Sequence, residues 1–404
     1  ANLSSVYAVA VLSRDQRIAY AAIIGLLIIY QVATSVLGDL DYRMIAALVD
    51  PSAGAALSEV MQYWTVFERN TEVAPIEGLL LYNRSLWLGV SLALLAFTTL
   101  RFEFSLNKKR KSKKHLETVV ENDDPLVIPT TYVSAKPEIH AFTAWRQLVE
   151  RTQFEVRGVL TSMFFWGLIA LAAALSLGNF FSLGQFFGTP IFPVTRMMIN
   201  VLSGAVTLSM LIVIVFYGAE LVWRDREARF QEILGSSPSP NWVFVVSKMI
   251  AALMVIAIFL IVTALVAILF QLFSGYTNLE LDLYLVGYLY NYASLGYLAI
   301  VLSVVLQILA PNKYFGMLFM VLYIVALLVL PGAGFEDPLY LFGASSSTPY
   351  SDMNGYDGQL AFAAQYHLYW ACFAVILSVV GYLMWTRGPQ EQFTARLRNM
   401  KANM

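Results

Sequence analysis

The chain has 404 residues, 58% of them hydrophobic and only 13% charged, with a mean hydropathy of +0.65. Soluble domains carry roughly a quarter charged residues, so a chain this apolar could not cover its surface against water and must be solvated largely by lipid. The net charge of −1 averages over compartments and says little, while the single cysteine, Cys372, excludes a disulfide framework and a Cys-based metal site.

Apolar runs bounded by charge or turn residues predict an all-α polytopic membrane protein with about eight spans. They fall near 18–37, 84–101, 158–181, 197–222, 245–274, 284–309, 314–331 and 362–386. Each is apolar around its whole circumference, unlike a surface helix. Orientation follows from the basic residues. With the 108–114 loop in the cytoplasm, cytoplasmic segments hold 22 of the 26 Lys and Arg, and only Arg43, Arg69, Arg84 and Arg196 remain outside. Both ends of the chain are then expected on the cytoplasmic side.

In chain order, residues 1–106 read as the end of one span and two further spans, with an acidic external segment over 37–83. Residues 107–137 open with KKRKSKKH, pass through ENDD and contain Pro125 and Pro129. They form a cytoplasmic linker that serves as a topological anchor or contacts anionic lipid. Residues 138–157 place Ile139, Phe142, Trp145 and Leu148/Val149 at helical spacing against Glu138, Arg146, Glu150 and Arg151, the pattern of an interfacial amphipathic helix. Residues 158–386 hold six spans, with an external segment over 331–359 rich in Gly, Ser, Asp and Tyr. Residues 387–404 form a cytoplasmic tail.

The two sides of the linker share a plan. A span ends, a short polar turn follows (13–17 in the first part, 310–314 in the second), and then come a span, a long external segment and a final span. The expectation is two pseudo-repeated halves, the first truncated, with four earlier spans lying upstream of Ala1.

The segment 217–248, YGAELVWRDREARFQEILGSSPSPNWVFVVSK, is the most informative. A span ends at Glu220. Arg224, Asp225, Arg226, Glu227, Arg229 and Glu232 then place charge on most faces of a helix with Phe230 and Ile233 as an apolar edge. Pro238 and Pro240 break it, and Trp242 re-enters the membrane. Such a helix is suited to docking in a groove of a soluble partner and to moving the two spans it joins. The alternative is a loop that only satisfies topology.

ELVWRDREARFQEIL followed by SPSPNW and SK resembles the signature of ABC-2 type permeases, closest to the bacterial permeases fused to an M1-family aminopeptidase. FEVRGVLTSMFFW upstream is similar to the entry into a permease half of that family. The resemblance implies a type V exporter-like permease in the bacterial cytoplasmic (inner) membrane. It implies a transmembrane subunit whose Arg224, Asp225, Arg226, Glu227, Arg229, Phe230 and Glu232 couple to an ABC ATPase, two copies per complex. Glu220, Trp223, Pro238, Pro240 and Trp242 support that region. It further implies a translocation route lined by 18–37, 197–222 and 314–331, and an aminopeptidase domain beyond residue 404.

Chemistry-bearing motifs are sparse. No G-x-x-x-x-G-K-[ST] loop occurs, so ATP and Mg are expected on the partner and no cofactor in this chain. No H-E-x-x-H occurs, and His115, His140 and His367 lack the spacing for a peptidase zinc site. No catalytic residue, metal site or nucleic-acid partner is expected. His367, in QYHLYW, reads as an interfacial anchor ahead of a proton or metal role. The tyrosines of 284–297 read as an aromatic belt plus interhelical packing. The alternative function is an ion-coupled secondary transporter or channel. It is disfavoured because no Asp or Glu lies at the centre of a span.

Overall fold

The computed structural model describes residues 43–50, 53–101, 141–183, 192–228 and 239–385, with Tyr7, Ala8, Val11, Phe230 and Leu234 besides. The predicted span 18–37, the linker and the cytoplasmic tail lie outside the described residues. So do the repeat's first turn, His115 and His140, and Arg229, Glu232 and Pro238. The described secondary structure is helical throughout, apart from a single bridge between Ser351 and Gly355.

Three short helices precede the first described span: α1 (Arg43–Val49), α2 (Gly54–Val60) and α3 (Val66–Thr71). A capping box starts α3, with Thr65 accepting from the Glu68 amide while the Glu68 carboxylate accepts from Thr65. The span α4 (Gly78–Arg101) packs on α1 and α2 through Ala47, Ala53, Ala56 and Leu80. Asn83 fixes that contact, its amide donating to the carbonyls of Ala47 at 2.6 Å and Asp50 at 2.8 Å.

The main bundle comprises α5 (Ala141–Leu160), α6 (Met163–Leu183), α7 (Thr195–Glu227), α8 (Asn241–Phe273), α9 (Leu281–Leu309), α10 (Lys313–Val329) and α11 (Gln359–Leu383). Among the described residues six helices are long and apolar enough to cross a membrane: α4, α6, α7, α8, α9 and α11. The 17-residue α10 is a shorter apolar helix. With the predicted span 18–37 outside the described residues, this is the all-α polytopic architecture the sequence called for.

Punctuation residues set the boundaries. Pro240 in an extended conformation precedes α8, and Asn312 caps α10 by accepting from the Phe315 amide at 3.0 Å. The 33 residues each of α7 and α8 would extend about 50 Å at 1.5 Å per residue. That exceeds a hydrocarbon core of about 30 Å, so both helices carry several turns beyond it.

The core is shared by α6, α7, α8 and α9, with Phe165, Leu168, Leu202, Val213, Tyr217, Val255, Phe259, Ile300 and Val304 all buried. Small residues set the closest approaches, as helix packing in lipid requires. Gly218 of α7 lies against Ser303 of α9, and Gly316 of α10 against Gln307 of α9. Residues 284–292 of α9 form a π-helical stretch. It turns Tyr284, Tyr288 and Tyr292 inward, bonded to Gln271 at 2.8 Å, Thr263 at 2.9 Å and Thr207 at 2.9 Å. For these three tyrosines, interhelical packing is what the structure shows.

Two expectations shift. The helix predicted over 138–157 is described from Ala141 and runs to Leu160, ending at a break over Thr161 and Ser162 before α6. It packs inward through Ala144, Leu148, Thr152, Glu155, Val156 and Val159, and leaves Phe142, Trp145 and Val149 exposed. Glu155 and Arg151 thus face the bundle, where their charges are matched, while Arg146 and Glu150 stay exposed. His367 is buried rather than displayed at an interface. Its Nε2 lies 2.9 Å from Ser294 Oγ and its Nδ1 3.3 Å from the Tyr290 hydroxyl.

Candidate functional site: a charged knot where three helices meet

Three helix segments converge beside the charged motif: α5, the last turns of α7 and the first turns of α8. Their register is read from successive contacts. Trp145 meets Trp242 with ring centroids 6.2 Å apart, Arg151 lies over the Phe244 ring at 5.9 Å, and Glu155 pairs with Lys248. So α5 and the start of α8 ascend side by side, while α7 descends past them.

At the crossing point five charges interlock. Lys248, 1% exposed, donates through Nζ to Glu155 Oε1 at 2.9 Å, to Asp225 Oδ2 at 2.9 Å and to the Leu221 carbonyl. All three ammonium protons are therefore used. Glu155, whose side chain is fully buried, accepts from Lys248 and from Arg224 and forms an ion pair with Arg151 at 2.8 Å. Asp225 also pairs with Arg151. Phe154 covers the group, with Arg224 and Arg151 over its ring at 5.2 and 5.3 Å. Three cations face two carboxylates. The arrangement is held because each carboxylate is multiply bonded, the condition under which buried ions are tolerated.

A second ionic contact ties α7 to α10. Lys313 Nζ sits 2.9 Å from Glu220 and 3.1 Å from Glu227. Between the two contacts, Trp223 donates to buried Gln307 Oε1 at 2.8 Å, which joins the motif to α9. The Arg226 guanidinium lies over the rings of Trp223 at 4.7 Å and Trp385 at 5.5 Å.

The predicted residues therefore separate into two groups. Arg224, Asp225, Arg226, Trp223 and Glu220 sit on the continuous helix α7 and turn toward α5, α8, α9, α10 and Trp385. They do not stand on a separate charged helix. Glu227 closes α7 half-exposed, and Phe230 is 46% exposed beyond it, with its amide bonded to the Asp225 carbonyl at 3.0 Å. Pro240 and Trp242 start α8, where Trp242 packs on Trp145.

The sequence alone assigned no site role to Glu155, Lys248, Arg151, Gln307 or Lys313. Lys248 carried a usable signal, because it is the only charge between Trp242 and Phe273 and a lone ionisable group in an apolar run calls for a partner. No group of three or more His, Cys, Asp or Glu that could hold a metal occurs among the described residues.

A family model described as "ABC-2 family transporter protein" matches residues 80–339. No match is found among curated proteins or among solved structures. The matched stretch takes in nearly all of α4, then α5 to α10, the charged knot and the Lys313 clamp, which is well over half of the chain. With its helices long and apolar enough to span a bilayer several times, this chain belongs to the ABC-2 transporter family and is the permease part of a membrane transport system.

Proposed function

We propose that this permease is the transmembrane subunit of an ATP-driven exporter whose energy comes from a separate nucleotide-binding subunit carrying ATP and Mg. The supporting observation is the knot itself. It joins the end of α7, the start of α8 and the Arg151–Glu155 stretch of α5, so a force applied at the charged motif is delivered to two long helices at once. In this reading Arg224 and Asp225 transmit force from inside the knot, and Arg226 does so through Trp223 and Trp385 beside it. Glu227, Arg229, Phe230 and Glu232 supply the contact with the ATPase. A buried ionic knot suits that task, because an apolar seam slides more readily than a set of fixed, directional hydrogen bonds.

The cell location that goes with this reading is a bacterial inner membrane, with both chain ends in the cytoplasm and two ATPase copies per complex. The relation to aminopeptidase fusions belongs to the same reading and rests on the motif resemblance. The test is a mild-detergent pull-down read by mass spectrometry, using the intact chain, Glu227→Ala/Phe230→Ala, and Arg224→Ala. An ATPase with a phosphate loop is expected with the intact chain and is lost with the double change while the melting temperature falls little, because Lys313 keeps Glu220 when Glu227 is removed. Arg224→Ala is expected to lower the melting temperature as well. A folded intact chain that recovers no ATPase would overturn the proposal.

A further inference from the structure

Between α10 and α11 the chain does not remain at the outer surface. The Phe342 carbonyl accepts from the Tyr323 hydroxyl, six residues inside the end of α10 at Val329. The Ala344 carbonyl accepts from Trp370 Nε1 at 3.0 Å, eleven residues along α11 from Gln359. Gly343 sits between them against α9, where an added Cβ would lie 3.5 Å from Leu298 Cβ. At 1.5 Å per residue, residues 342–344 dip about 9 to 16 Å below the outer ends of α10 and α11. The chain then climbs back. Asn291 of α9 donates to Thr348, and Asp352 meets Arg196, in the first turn of α7, at 3.0 Å. The stretch 338–351 carries no charged residue.

Non-helical backbone at such depth is tolerated only where protein buries it or where it lines water. Protein covers one side here: Leu341 and Gly343 are buried, and two carbonyls are satisfied by Tyr323 and Trp370. The other side is open. Ser347 is exposed and Ser345 and Thr348 are half-buried, while Ser346 Oγ is turned into the protein with no hydrogen-bond partner among the described residues. The hydroxyls of Ser345 and Ser347, turned to hydrocarbon, would each carry a desolvation cost of about 1 kcal/mol or more. The same groups facing water carry none.

We propose that the flank carrying Ser345, Ser347 and Thr348, with Asn291 behind it, faces a water-filled route and receives uncharged hydrogen-bonding groups of the cargo, such as hydroxyls or amides. The described lining offers hydroxyl and amide groups and no charge. That favours neutral polar groups over ions, since an ion would shed its hydration without a counter-charge. This inference rests on the chain being a transporter, and it is independent of what powers transport.

The experiment uses the purified chain in lipid vesicles and needs no ATPase, so its failure is distinct from failure of the energy-coupling proposal. On a Cys372→Ser background, nitroxides are placed at Ser347, at Asp352 and at Leu368, an exposed apolar position on α11. Collision with a water-soluble nickel chelate is compared with collision with oxygen. The label at 347 is expected to favour nickel several-fold over the label at 368, and to fall below the label at 352. An oxygen-dominated profile at 347 equal to that at 368 would overturn the proposal, as would a site closed to both relaxants. Depth is checked by the pair Gly343→Cys/Leu298→Cys, whose Cβ spacing suits a disulfide. Rapid oxidation to the cross-link is expected. A folded double variant that never cross-links would place the loop at the surface and overturn the proposal. Where the double variant fails to fold, the nitroxide profile decides.

Discussion

Glu155 and Lys248 stand 93 residues apart in sequence and are joined by a 2.9 Å hydrogen bond with both side chains at or below 1% exposure. They hold the centre of a cluster of three cations and two carboxylates, and that imbalance decides which removal costs more. Glu155→Gln leaves three cations against Asp225 alone. Lys248→Met leaves two cations against two carboxylates, with Glu155 still bonded to Arg151 and Arg224. Breaking a buried pair so as to strand charge costs about 3 to 5 kcal/mol. Glu155→Gln is therefore expected to cost about 3 kcal/mol or more, and Lys248→Met clearly less. Denaturant unfolding in detergent micelles measures both. Equal losses would show that the charge balance does not govern the cluster.

Gly158 gives a prediction with a change of sign. A Cβ there would fall 2.1 Å from Arg224 Nη1, where the guanidinium crosses α5 on its way to Glu155. Alanine in a helix gains about 0.5 to 1 kcal/mol over glycine. Displacing the guanidinium loses a charge-assisted bond of about 1.5 to 3 kcal/mol. Gly158→Ala should therefore destabilise by about 1 kcal/mol in the native background. With Arg224→Ala already present it should stabilise. A double-mutant cycle reads the coupling, and additive effects would separate Gly158 from the knot.

The sequence made the membrane class and the helix order readable because lipid imposes length and apolarity on every span. The break at Pro240 and the start of α8 at Asn241 were legible for the same local reasons. Partners were not. The run from Trp223 to Glu227 shows charge on all faces, and nothing local says that Arg224 turns to Glu155 of α5 or that Lys313 turns back to Glu220 and Glu227. Those pairings span 69, 93 and 86 residues, and a buried ionic contact resembles a solvated one in composition. The deep loop at 342–344 was hidden for a related reason. Its Gly and Ser content suggests an external turn, while its depth is set by Tyr323 and Trp370, each inside an apolar span.

Gly218 and Ser303 set the distance between α7 and α9. An added Cβ at Gly218 would lie 2.1 Å from Ser303 Oγ and 2.7 Å from Ser303 Cβ. Two atoms collide, and the second belongs to any residue other than glycine. Gly218→Ala is expected to destabilise by about 1 to 3 kcal/mol, the range for overpacking a tight core. Adding Ser303→Ala should restore little of it, and adding Ser303→Gly most. Full rescue by Ser303→Ala would mean that the helices are spaced more widely than these two side chains require.

Gly287 and Tyr356 form the contrasting case, where the π-helical stretch meets the 351–358 loop. Here an added Cβ would lie 2.3 Å from the Tyr356 hydroxyl oxygen but 3.6 Å from both Tyr356 Cζ and Leu283 Cδ1, which is ordinary contact. A single atom obstructs. Gly287→Ala should therefore push the Tyr356 ring outward and weaken the seating of the loop, a change readable as faster hydrogen exchange across 351–358. Tyr356→Phe alone should change exchange little. Combined with Gly287→Ala, it should return the loop to native protection, because the only overlapping atom is gone. The two glycine sites thus differ in what rescues them, removal of one oxygen at Tyr356 against removal of a whole side chain at Ser303. If Tyr356→Phe fails to rescue while the rest of the bundle keeps its protection, the loop is held by Arg196, Asn291 and Trp370 rather than by Tyr356 over the π-helical stretch.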